Sequence, residues 1–126
     1  MKISVTLSGD VLKGYGSYGG NYDLAPDLVN GKASWSSEDG TNAIWFDKSF
    51  RNWLIGQMGS RGTSTAAFIT PTGTAYDGLP NEVKPWKWYV NGGFAASDDI
   101  VVEGIDFYSF SLRFPTLNTP ISRCIQ

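Results

Sequence analysis

NGKASWSSEDGTNAIWFDKSFRNWLIGQMGSRG, residues 30–62, decides the fold. Its apolar runs are short: Trp35, then Ile44-Trp45-Phe46, then Trp53-Leu54-Ile55. Turn formers separate them: Asn30-Gly31, Asp39-Gly40, then Gly56, Gly59 and Gly62. Runs of this length, broken by glycine turns about every ten residues, read as a series of antiparallel strands. Asn30-Gly31 supplies the positive φ that tight hairpins need. Ala33 and Trp35 share one face of a strand over residues 32–36. Residues 42–47 and 53–56 read as two strands of one hairpin, joined by a longer loop over 48–52. Trp45 and Phe46 are adjacent, so they fall on opposite faces.

The same grammar extends outward. Ile3, Val5 and Leu7 alternate with Lys2, Ser4 and Thr6, which puts three apolar side chains on one face of a half-buried strand. Residues 14–20 hold four glycines and read as a loop, because glycine is costly inside a regular element. Tyr22 to Leu24 reads as a short strand. Downstream, residues 65–70 make a further strand. Residues 70–85, with three prolines, make the longest irregular stretch. Residues 86–90, 100–105 and 107–114 return to strand character. In the last of these Tyr108, Phe110, Leu112 and Phe114 share one face, and Pro115 ends the run. No segment sustains a 3.6-residue period over two turns; residues 79–84 allow one helical turn at most.

The sum is an all-β domain: a single antiparallel β-sandwich or small barrel of eight or nine short strands. It spans residues 1–115, with 116–126 as a loosely held tail. A chain of 126 residues, 41% hydrophobic, can build a core without metal or disulfide staples.

The order Asn30-Gly31, Trp35, Ile44-Trp45-Phe46, Trp53-Leu54-Ile55-Gly56, Gly59, Pro85-Trp86 resembles tryptophan- and glycine-rich small β modules. The resemblance covers roughly residues 15–90. It implies a compact β domain and no particular activity.

Composition narrows the chemistry. Net charge is −2, and the ten Lys and Arg are scattered, which argues against nucleic acid. With no histidine, Ser-His-Asp and Cys-His catalysis are out of reach, as are the usual zinc sets. The single cysteine, Cys124, can form no intrachain disulfide. No cofactor motif is present, and the glycines at 14, 16, 19 and 20 open no helix of the dinucleotide type. No apolar run is long enough for a signal peptide or a membrane span. The chain therefore reads as intracellular, or as a piece of a longer secreted protein.

Two carboxylates at the right separation could still hydrolyse a glycosidic bond. Glu38, Asp39, Asp47, Glu82, Glu103 and Asp106 are the candidates, and turn chemistry explains Glu38 and Asp39 as well. Asp98, Asp99, Glu103 and Asp106 form the densest acidic patch, a solvated face or oxygen ligands for calcium. Its spacing is not that of an EF-hand.

The aromatics are the better lead. Trp35, Trp45 and Trp53 suit a core. Trp86, Trp88 and Tyr89 crowd one strand between Lys84 and Asn91. They suit a ligand-binding platform with Asn91 or Asp77 as polar partners. The expectation is a non-catalytic binding module for a protein partner or self-assembly. A lectin-like carbohydrate binder using the Trp/Tyr platform is the alternative, and a carboxylate hydrolase a third reading.

Overall fold

The computed structural model describes residues 1–73 and 78–105. Among these residues nine strands form one antiparallel sheet: β1 (Lys2–Leu7), β2 (Gly20–Leu24), β3 (Trp35–Ser37), β4 (Asn42–Asp47), β5 (Asn52–Gln57), β6 (Phe68–Ile69), β7 (Lys87–Val90), β8 (Gly93–Ala96) and β9 (Ile100–Ile105). Their order is β8-β7-β6-β5-β4-β3-β2-β1-β9. The first eight strands meander, each beside the next. β9 then returns to pair with β1 over its whole length, Lys2 opposite Ile105 and Leu7 opposite Ile100. The sheet curls into a half-barrel, so of a sandwich and a barrel the barrel-like solution is taken.

Period-two alternation sets the two faces. The concave face gathers Ile3, Val5, Leu7, Tyr22, Trp35, Ile44, Phe46, Trp53, Ile55, Phe68, Ile100 and Val102 into one core. Trp53 touches both Trp35 and Phe46 edge to face, at centroid distances of 5.9 and 5.4 Å. The convex face of β4 and β5 is buried as well, with Ala43, Trp45 and Leu54 covered by Val29, Met58, Ala66 and Ile69. That cover comes from the loops before β3 and after β5 and from Ile69 on β6. Asn30 Nδ2 donates to the Phe46 carbonyl at 2.8 Å, and Trp45 Nε1 donates to the Thr63 carbonyl at 2.9 Å. Buried backbone acceptors need such partners. The expected split of Trp45 and Phe46 between faces therefore holds, and both side chains are buried.

Helix α1 (Gly9–Tyr15) and a 3-10 turn (Gly16–Tyr18) cross one end of the half-barrel. This corrects the loop expected there. Val11 is the one buried residue of the helix, too little for a visible period. Docking holds the segment in place. Asn42 Nδ2 donates to the Ser17 carbonyl at 2.9 Å, and Tyr15 and Tyr18 both meet Phe68 at 5.6 Å.

Other boundaries shift in smaller ways. The strand expected over residues 32–36 begins at Trp35, because Asn30-Gly31 closes a bridge between Val29 and Lys32 first. The strand expected over 65–70 shortens to Phe68–Ile69. β8 was not foreseen; Gly93-Phe94-Ala95-Ala96 shows no alternation of apolar with polar residues, and all four are exposed. The Asn91-Gly92 turn creates it, with φ of 53° and 82°, the tight-hairpin geometry. The strand expected over 107–114, Cys124, and the boundary of the expected tail lie outside the described residues. Among the described residues no helix is long and apolar enough to cross a membrane.

Candidate functional site

The aromatic platform does not assemble as one surface. Trp86 is 3% exposed and belongs to the concave core, where its Nε1 donates to the Pro80 carbonyl at 3.3 Å. Trp88 lies on the same face, half-buried, with its ring edge-on to Tyr15 at 6.0 Å. The two tryptophans share a face as their spacing implies, and curvature turns that face inward. Tyr89 points the other way and is 48% exposed. It stands opposite Phe94 on β8, the rings T-shaped at 5.3 Å. Asn91 sits exposed in the turn beyond. Asp77 lies outside the described residues.

Two concavities flank these elements. The larger, about 390 Å³, runs along the edge of β9 that has no partner strand among the described residues. Asn81, Val83, Lys84, Pro85 and Trp86 form one wall, and Ile100 to Gly104 with Asp98 form the other. Residues of both β9 faces line it, so it follows the edge and not one face. The smaller, about 220 Å³, lies at the end of the half-barrel between Tyr15, Tyr18, Gln57, Ser60, Thr65 and Tyr89. Neither was visible in the sequence. Each joins residues from segments far apart in the chain, and no local signal marks such a meeting.

The carboxylates are dispersed. Lys2 bridges Asp23 at 3.4 Å and Glu38 at 3.6 Å. Its ammonium pKa is raised by the hydrogen bond and charge of Asp23 and then by Glu38. Asp39 closes its own turn: the Thr41 and Ser37 hydroxyls donate to Oδ1 at 2.7 and 2.8 Å, and the Thr41 amide donates at 3.1 Å. Those donors hold its carboxyl below the usual range, the Thr41 hydroxyl most. Asp47 is buried and caps its turn through the Ser49 amide at 3.0 Å, and its Oδ2 has no hydrogen-bond partner among the described residues. Glu82 accepts the Leu79 amide at 2.8 Å.

Asp98 and Glu103 both line the β9 groove, but both are exposed. They are separated by roughly 15 Å of largely extended backbone. A general acid needs a desolvated carboxyl near its partner. Asp99 accepts the Ser8 hydroxyl at 2.9 Å. Among the described residues no three carboxylates gather as a metal group, and Asp106 lies outside them.

Burial also raises the Tyr22 and Tyr18 hydroxyls. For Tyr18, Tyr15 adds to the effect and the Gln57 amide opposes it. Tyr22 donates to the Tyr18 carbonyl at 2.6 Å, which ties the 3-10 turn to the sheet.

Comparison with protein-family models, with curated proteins and with solved structures finds no match to this chain.

Proposed function

We propose that the domain is a non-catalytic protein-interaction module, and that it receives an extended segment of a protein partner along the free edge of β9. The observation that carries the reading is the groove beside that edge. β9 has six residues and, among the described residues, one unpaired side, which offers a row of backbone donors and acceptors. The wall formed by Val83 and Trp86 offers apolar cover for alternate side chains. Main-chain pairing supplies affinity in such recognition and side-chain pockets supply specificity. β8, the other edge strand, has four residues, and short edge strands resist pairing.

Charge defines the occupant further. Asp98 and Glu103 outnumber Lys84 on the groove walls. The partner segment is therefore extended, apolar at alternate positions, and basic on its other face.

A phage-displayed library of linear peptides, selected on the whole chain, tests this. Expected winners alternate apolar residues with Lys or Arg, and shift the amide resonances of residues 81–86 and 100–105. Glu103→Lys then weakens them several-fold while leaving the melting temperature unchanged. Winners that shift resonances elsewhere would sink the reading, as would an empty selection. Sedimentation of the same sample distinguishes a second copy as occupant.

The carbohydrate alternative draws on Tyr89, the member of the expected platform whose ring is open to solvent. No pairing of carboxyls supports the hydrolase reading among the described residues.

A further inference from the structure

Two turns of this domain share one local sequence, Val29-Asn30-Gly31 and Val90-Asn91-Gly92. Both asparagines hold φ at 53°, and the glycines follow at 81° and 82°. Each Asn-Gly pair is the centre of a two-residue reversal. One lies between Val29 and Lys32, the other between Val90 and Gly93. The residue before each asparagine and the glycine after it are matched. A large difference in reactivity between the two sites therefore comes from the fold.

The fold treats them unequally. Asn30 Nδ2 donates to the Phe46 carbonyl at 2.8 Å and to the Gly62 carbonyl at 3.5 Å. Val29 packs on the buried Trp45 cluster, and the Lys32 ammonium lies over the Phe46 ring at 5.1 Å. Rearranging that turn means breaking these contacts. The Asn91 side chain makes no hydrogen bond among the described residues, and Asn91, Gly92 and Gly93 are all exposed. Its turn joins β7 to β8, an edge strand exposed along its length. A hairpin tip of this kind opens locally at a small part of the cost of global unfolding.

We infer that Asn91 is a site of spontaneous deamidation in the folded domain, and that Asn30 is protected from it. Ring closure needs the turn to open, so ease of opening sets the rate. The Gly92 amide gives its proton to solvent base, and its nitrogen attacks Asn91 Cγ. A Cγ–N bond forms, the Cγ–Nδ2 bond breaks, and ammonia leaves. Glycine has no Cβ to obstruct the five-membered imide. Water then opens the imide at one carbonyl or the other. One opening leaves aspartate. The other leaves isoaspartate, with an extra methylene in the main chain. Either product adds a negative charge to the turn. Isoaspartate also lengthens a two-residue loop, and loop length fixes hairpin register. It therefore puts β8 out of register with β7.

Peptide mass mapping of the whole chain, aged in mildly alkaline buffer, tests this. Conversion at Asn91 is expected to run about tenfold faster than at Asn30. In concentrated urea the two rates should come within about twofold, since the unfolded chain gives both sites the same neighbours on either side. Equal rates in the folded chain overturn the inference, and so does faster conversion at Asn30. A tenfold gap that persists in urea overturns it too, because the fold is then not its cause. In the isoaspartyl fraction, hydrogen exchange at residues 93–96 should quicken while that of β4 and β5 stays as in the unmodified chain. Unchanged exchange at 93–96 overturns the register shift.

Discussion

Gly56 on β5 is the seat of the Trp45 ring. A Cβ at Gly56 would lie 2.9 Å from Trp45 Cη2 and 3.1 Å from the Ala66 Cα. The backbone of Gly56 needs no positive φ, so space alone selects glycine there. The missing side chain lets Trp45 lie flat on the convex face beneath the loop after β5. Its indole N–H then reaches the Thr63 carbonyl. Gly56→Ala should therefore destabilise the domain by about 1–3 kcal/mol through overpacking. A urea midpoint equal to that of the wild type would show that the loop gives way freely.

The tryptophans and tyrosine of the sequence around β7 should separate in stability. Trp86→Ala empties a core position and orphans the Pro80 carbonyl, at an expected cost of about 3–5 kcal/mol. Tyr89→Ala removes one cross-strand aromatic contact with Phe94, worth under about 1 kcal/mol. Equal losses in chemical denaturation would contradict the inward turn of Trp86.

Asn30 and Asn91 both adopt φ of 53° ahead of a glycine. Glycine accepts that conformation at either position. Among the described residues Asn30 also donates to a strand carbonyl, that of Phe46, and Asn91 does not. Asn30→Gly should therefore cost about 1 kcal/mol more than Asn91→Gly. Thermal melts of the two variants, side by side, decide it.

Asp39 gives the domain an acid-side dependence. Its folded pKa is depressed, by the Thr41 and Ser37 hydroxyls and then the Thr41 amide. Its contribution is thus fully present above the unfolded value, about 3.9. It is lost as pH falls through the lower folded value. The wild type should melt above Asp39→Ala at neutral pH, and the gap should close on acidification below about 4. A gap that stays constant down to pH ~2 would remove the carboxylate from the account.

Much of this architecture was legible. β4 follows residue by residue from Asn42 to Asp47, because an unbroken apolar centre lies between an Asp-Gly turn and a charged loop. The Asn-Gly pairs marked two tight turns, since few other residues tolerate positive φ in succession. α1 was not legible: three glycines in or beside it mask a helix that owes its place to Val11 and to its docking on the sheet. β8 was hidden for a related reason, since a strand exposed along its length leaves no period in hydrophobicity.

Local chemistry settled the strands, their turns and the alternation of their faces, because backbone conformation responds to near neighbours. It settled too that this sequence holds no histidine and can form no intrachain disulfide. Tertiary structure alone decided which alternating face became concave, and so why Trp86 is buried while Tyr89 meets solvent. Curvature is a property of the whole sheet, summed over nine strands. It also decided where both hollows form. The β9 edge meets residues 81–86, and Tyr15 meets Tyr89, only after the chain has returned on itself, at separations that no local pattern encodes.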